Sequence, residues 1–548
     1  MAPVEPEASA RNNLFAYAPF TGHILLVIGL TVHVLRVARR ASKSLPPSTT
    51  TRSQQPLRRN YAILFSVLAA FSLASVTTFA VFWRAISYVQ WAESGAKNSP
   101  NGLWTGWYGT GEEGHWYLGD WIKDIDLQKA ADKVAISTPE GFLYTSQHFL
   151  GLLASSIFFG VEGHRRNLRP STIASFVLLG ATGSLGYALS LFFVTILYTP
   201  LTVHNEDTPL HDALFAPSPI VYFVPIITSL LYLNWLPEIL VRSADNGSVN
   251  FLRAGKIAVP LLLAFAPKIV PISLGRQYTS KAAAHRSYAK AFHFLSIASF
   301  LLYWKLFIAN VSVNTPSEHE HVWDVFTNTV GLTQGQSKSS RIFSGISTTG
   351  QRLKLISKHP IISVTSVDVL FTSISLLSWV FTRNLDVEAI LESSVLSFLL
   401  PKHEKHVAFA DDAKRLADLS AEPEPEPVIE TTTPRKRGRP AKNKAAINGA
   451  STASTGSIRR GTRRGTRSVD LDSDAESFTT GQASTATYQP SSSTKRAVEE
   501  TEADGVATGS DLVESGESTA LALFLAFAGG LGQLASGALG AEVSGPRE

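Results

Sequence analysis

The sequence predicts an all-α fold: a polytopic transmembrane helical bundle of about 8–9 apolar helices, one of them broken enough to be re-entrant, with a long disordered C-terminal segment before the last helix. Three observations predict it. Apolar blocks recur between residues 15 and 400, each near the roughly 20 residues that a helix needs to cross a ~30 Å bilayer core. The polar joints between the first blocks alternate between basic and acidic. From residue 401 to 517 apolar runs almost vanish, although the whole chain is 45% hydrophobic.

Residues 1–14 form a polar leader, and the block behind it is too long for the apolar core of a cleaved signal. The membrane body, 15–400, carries blocks at 15–35, 61–83, 142–161, 171–198, 218–240, 257–275, 290–311 and 360–382; residues 518–541 supply a last helix. Runs of this length predict helices rather than barrel strands, because in lipid the backbone must satisfy its own hydrogen bonds. Pro260, Pro267, Lys268 and Pro271 interrupt the sixth block, which is therefore the one expected to be re-entrant or interfacial. The joint after the first block (Arg36, Arg39, Arg40, Lys43, Arg52, Arg58, Arg59) and that after the third (Arg165, Arg166, Arg169) are basic. Those after the second (Glu112, Glu113, Asp120, Asp124, Asp126) and the fourth (Glu206, Asp207, Asp212) are acidic. The lysine and arginine bias places the basic joints in the cytosol and the N-terminus outside or in the lumen. The side of the long C-terminal segment then depends on whether the sixth block crosses; its prolines favour a cytosolic tail.

Ionisable residues inside apolar blocks are His33, His148, Lys268, Lys305 and Asp368. Each costs roughly 2.5–3.5 kcal/mol at mid-helix, so each needs a partner or a role. Asp368 is expected to pair with Lys305 or Lys268, as a structural ion pair or as part of a proton or substrate path. Two joints gather metal-ligand types, His204 with His211 and Asp212, and His319 with His321. Imidazole and carboxylate suit zinc, iron or manganese, but neither joint has helically spaced histidines flanking a carboxylate base, and no metal or other cofactor is expected. Trp91, Trp104, Trp107, Trp116 and Trp121 crowd one joint, where Leu118, Trp121, Ile122 and Ile125 recur at helical spacing. That pattern predicts an interfacial anchor helix. Gly532, Ser536 and Gly540 follow a small-xxx-small rhythm that permits close helix packing. With no cysteine, disulfides, thiolate metal sites and a cysteine nucleophile are excluded.

The tail, 401–517, is rich in Ser, Thr, Ala, Gly and Glu and cannot bury enough apolar surface to offset ordering. Its basic tract, 433–444, holds Arg437-Gly438-Arg439-Pro440 among lysines and resembles an AT-hook. The resemblance implies that Arg437 and Arg439 lie in a narrow A·T-rich minor groove, with Gly438 allowing close backbone approach. The alternatives are a solvated polycation, an anionic-lipid binder or a nuclear-import signal. Thr462 and Thr466 follow arginines and Ser473 precedes acidic residues, so all three are phosphorylation candidates.

Four segments, Phe15 to His23, Gly160 to Arg166, His359 to Leu370 and Gly529 to Glu542, resemble parts of multi-pass membrane proteins of filamentous fungi. The resemblance implies a polytopic helical fold in which the last block joins the membrane body, and it transfers no functional residue. Three functions remain. The first is an anchor or scaffold, at the endoplasmic reticulum or nuclear envelope or else the plasma membrane, whose tail binds A·T-rich DNA or anionic lipid. The second is a small-molecule or proton-coupled transporter or sensor. The third is an intramembrane lipid- or terpenoid-modifying enzyme, although no catalytic constellation is present and the sequence leans away from an enzyme.

Overall fold

A computed structural model describes residues 18–44, 55–95, 116–199, 215–242, 246–278, 281–316, 329–330, 338–400 and 512–544. The described chain is all-α apart from two three-residue strands. Its elements are α1 (Ala18–Ser44), α2 (Gln55–Ser94), α3 (Leu118–Asp124), α4 (Leu127–Ser137), α5 (Pro139–Arg165), α6 (Pro170–Thr182) and α7 (Leu185–Tyr198). Then come β1 (Phe215–Pro217), α8 (Ile220–Arg242), α9 (Asn246–Ile269), β2 (Gly275–Gln277) and α10 (Lys281–Asn314). The remainder is α11 (Lys338–Arg352), α12 (Pro360–Arg383), α13 (Val387–Glu392) and α14 (Leu512–Ser544). Local signals set several boundaries. Thr138 caps α5 by accepting from the Gly141 N–H, with Pro139 in the first turn where a missing N–H is harmless. Asn384, at φ 48°, closes α12 in the left-handed region.

Among the described residues, six helices are long and apolar enough to cross a membrane: Phe20–Lys43, Pro56–Ser94, Ile220–Glu238, Ser287–Asn314, Pro360–Arg383 and Ser515–Ser544. That is fewer than the 8–9 expected, for physical reasons visible in each missing block. The block 142–161 lies in α5, whose apolar run is diluted by Gln147 and His148. The sixth block falls in α9, which runs through Pro260 and Pro267 but ends at Ile269, before a short 3-10 turn and β2. The block 171–198 is not one helix. It breaks at Gly183 and Ser184 into α6 and α7, each too short to span.

Helices α6 and α7 fold back on one another as a hairpin. The rings of Phe176 and Phe192 lie 4.9 Å apart, and a methyl group on Gly180 would sit 3.7 Å from the Ala188 Cβ. In one straight helix those pairs would be separated by roughly 24 and 12 Å. At the base of the hairpin, the Arg166 guanidinium donates to the Thr199 carbonyl at 2.6 Å.

Helix α14 does the same. It leaves helical geometry at Gly530 (φ 76°, ψ −168°), and a methyl on Gly537 would lie 2.9 Å from the Leu525 side chain. Ser515 bonds Asn384 at 2.9 Å and Glu542 pairs with Arg383 at 3.0 Å, so both ends of α14 return to one end of α12. The last block therefore packs as two half-length arms, although its total length and composition suit a single span.

One end of the bundle is arginine-rich. Glu162 bridges Arg165 (2.8 Å) and Arg166 (3.0 Å), and the Arg165 guanidinium also donates to the Val543 carbonyl. Both hairpins start and finish at this end. So do β1 and β2, since the Pro217 carbonyl accepts from Ser287 and the neighbouring Tyr288 ring carries Arg165 at 5.4 Å. The flanks of 200–214 therefore lie at the end expected for Arg165 and Arg166, not at the opposite one, because the hairpin brings the chain back. The opposite end is marked by Asn310 on the Pro139 carbonyl and by His359 against Trp83. There Tyr88, Trp91, Trp116 and Trp121 pack α3 onto the far end of α2. Among the described residues the most extensive helix contact is between α10 and α14, which makes the last block part of the body.

Candidate functional site

Roughly 20 Å from the arginine-rich end, by helical rise, the two hairpin tips reach the same depth as Asp368 on α12 and as Gln147 and His148 on α5. Asp368 is 3% exposed and its carboxylate is fully occupied. Oδ1 accepts from the Ser184 hydroxyl (2.6 Å) and the Gly186 N–H (3.1 Å). Oδ2 accepts from the Leu185 N–H (2.9 Å) and faces the His148 Nε2 at 3.0 Å. The carboxylate thus caps the start of α7 from another helix, where free amides and the helix dipole favour negative charge.

Hydrogen-bond bookkeeping fixes the neighbouring hydroxyls. Ser184 gives its proton to Asp368 and accepts from the Tyr187 N–H, so the Ser72 hydroxyl, 2.8 Å away, donates to it. Glycine is required at 186, because a Cβ there would lie 2.7 Å from the Ser72 Oγ and 3.0 Å from the Thr372 nitrogen. His148 Nε2 and Asp368 Oδ2 stand at hydrogen-bonding distance, and both are atoms able to carry a proton.

The second tip is held by the adjacent residue of α5. Gln147 Oε1 accepts from the Gly532 N–H at 3.3 Å and lies against Gly530, whose φ and ψ only glycine adopts readily. One turn of α5 therefore touches the second break through Gln147 and the carboxylate that caps the first through His148. Among the described residues, Gln147 Nε2 and the buried hydroxyls of Ser299, Ser155, Ser536 and Ser393 have no hydrogen-bond partner. Ser299 sits beside Gly532 and Ser393 beside Gly540, with Ser536 between them on the returning arm of α14. Unpartnered polar atoms run from the node towards the arginine-rich end.

The lysines are elsewhere. Lys305 is exposed and bonds Asn234, and Lys268 is half-buried near the end of α9. The expected pairing of Asp368 with either lysine gives way to His148, because the lysines lie elsewhere and the break before α7 brings free amides and a hydroxyl to the carboxylate. His33 bonds Thr172 at 3.2 Å. His204, His211, Asp212, His319 and His321 lie outside the described residues, as do Arg437, Gly438, Arg439, Pro440, Thr462, Thr466 and Ser473. Sequence reasoning passed over Ser72, Gln147 and Ser184. The available signal was the Gly183-Ser184-Leu185-Gly186 run inside an apolar block, where a serine and two glycines favour a break and a cap. No family model matches this chain, and no curated protein or solved structure matches it either.

Proposed function

We propose that this chain is a multi-pass integral membrane protein that moves protons, or a small polar solute with protons, through its bundle. His148 and Asp368 are the proton-handling pair and the hairpin tips are the moving parts. The observation that carries this reading is the pair of backbone breaks at one depth, one held by Gln147 of α5 and the other by Asp368 of α12, whose carboxylate in turn meets His148 of α5. Interrupted helices at membrane depth are tolerated where their backbone is buried in protein or lines a polar path. A buried polar atom without a partner costs about 1–3 kcal/mol, so the row of unpartnered hydroxyls supports a route for a polar guest. Transfer of the shared proton to Asp368 would remove the charge that caps α7 and loosen one tip.

In this reading α1, α2, α8, α10 and α12 cross together with α5 and α9, which are less apolar but long enough at 27 and 24 residues and packed against one another, while both hairpins enter and leave at the arginine-rich end. The basic end then faces the cytosol, the N-terminus lies outside, and the tail departs and returns on the cytosolic side. There its basic tract is free to bind A·T-rich DNA or anionic lipid, at the endoplasmic reticulum or nuclear envelope.

The test is proton flux into sealed liposomes carrying the purified protein, driven by a potassium potential and read with a lumenal pH dye. Wild type should acidify vesicles well above the protein-free rate. His148→Ala and Asp368→Asn should each lose at least about 1.4 kcal/mol of barrier lowering, a tenfold drop, while remaining monodisperse. Wild-type vesicles no faster than empty ones, or an Asp368→Asn rate equal to wild type, would sink the proposal.

A further inference from the structure

The arginine-rich end gathers several guanidinium groups, and some of their nitrogens are buried without an acceptor among the described residues. Arg165, 6% exposed, and Arg166 share Glu162, while Arg383 pairs with Glu542 and carries the Trp379 ring at 5.5 Å. Arg58, at the start of α2, lies within electrostatic reach of Arg166 and Arg383. Arg58, Arg166 and Arg383 thus lie within electrostatic reach of one another, and Arg165 shares Glu162 with Arg166. Among the described residues, the buried Arg58 Nε, Arg165 Nη2 and Arg166 Nε have no acceptor. Burying a charged donor without a partner is costly, so the cluster is built for a further anion.

An open apolar groove begins beside it. The groove measures about 300 Å³ and lies between α2 and α7, lined by Ala62, Ile63, Ser66, Val67, Val194 and Tyr198 among others. Ala62 is one turn beyond Arg58, and Tyr198 precedes Thr199, whose carbonyl accepts from Arg166. Charge at the mouth and hydrocarbon along the length match a molecule with an anionic head and an acyl chain.

We propose that this end of the protein binds one anionic phospholipid, its phosphate held by Arg58, Arg165, Arg166 and Arg383 and one acyl chain laid in the groove between α2 and α7. Guanidinium forks suit phosphate oxygens, and basic pockets between helices on the cytosolic side recognise anionic headgroups. The site is separate from the mid-depth node and would exist whether or not the protein conducts protons.

The experiment is native mass spectrometry and thermal melting of the full-length protein in detergent, with added phosphatidylserine, phosphatidylcholine or inorganic phosphate. One bound phosphatidylserine and a raised melting temperature are expected, with at least fivefold weaker retention of phosphatidylcholine. Arg58→Gln should lower phosphatidylserine retention at least fivefold. Val67→Trp, which fills the groove from an exposed position, should do so without touching a charge, and it keeps the test open if Arg58→Gln fails to fold. Equal retention of both lipids would overturn the site. Stabilisation by inorganic phosphate alone, unaffected by Val67→Trp, would mean a free-phosphate site and overturn the lipid assignment.

Discussion

Replacing Asp368 by alanine removes the acceptor of three donors at once, the N–H groups of Leu185 and Gly186 and the Ser184 hydroxyl, together with the partner of His148 Nε2. The hydroxyl can rotate, but the two amides are fixed by α7 and buried. At about 1–3 kcal/mol for each orphaned donor, the two amides alone cost about 2–6 kcal/mol. Asparagine keeps one oxygen, enough for Ser184 and Gly186, but turns an amide nitrogen towards the Leu185 N–H and so forfeits about one donor. The expected order of stability is wild type, then Asp368→Asn, then Asp368→Ala. The assay is thermal unfolding in detergent followed by tryptophan fluorescence. A loss of this size lowers the melting temperature by several degrees, since about 1 kcal/mol shifts a 150–250-residue domain by about 2–4 °C. If Asp368→Ala melts together with the wild type, the carboxylate is not holding the hairpin tip and the account of the node is wrong.

Gly530→Ala combines a positive φ with a Cβ driven into the Gln147 side chain, and should cost at least about 1–3 kcal/mol in the same melting assay. Lys305→Leu should change the melting temperature less than Asp368→Ala, because Lys305 is exposed and its partner is the neutral Asn234; a larger effect would mean that the lysine carries a buried pair. A protease site inserted near Ser451 should be cut from the same face of sealed vesicles as one placed in residues 45–54, and protected when a site in 96–115 is cut, since Asn384 and Ser515 meet at the arginine-rich end. A peptide covering 431–444 should prefer A·T-rich over G·C-rich duplex in fluorescence anisotropy, and lose that preference when Arg437 and Arg439 become alanine. Equal binding to both duplexes would reduce the tract to a generic polycation.

The sequence by itself determined the class of this protein. Apolar runs such as 61–83 and 360–382 are long enough that a membrane helix is their cheapest solution, and both are helices here. It also marked Asp368 as costly, since a carboxylate in an apolar run needs compensation wherever the run packs. It did not determine which blocks cross. Residues 171–198 and 518–541 have the length and composition of spans, and hydropathy averages over a window that cannot register a reversal at Gly183-Ser184 or Gly530. Nor did it name the partner of Asp368, because His148 is 220 positions away and Ser184 is 184 away. Charge alone points to a lysine. Only the tertiary structure, by folding two apolar blocks back from one end, brought the unbonded amides of α7 to mid-depth. There a carboxylate is stabilised by hydrogen bonds and a helix dipole rather than by a counter-charge.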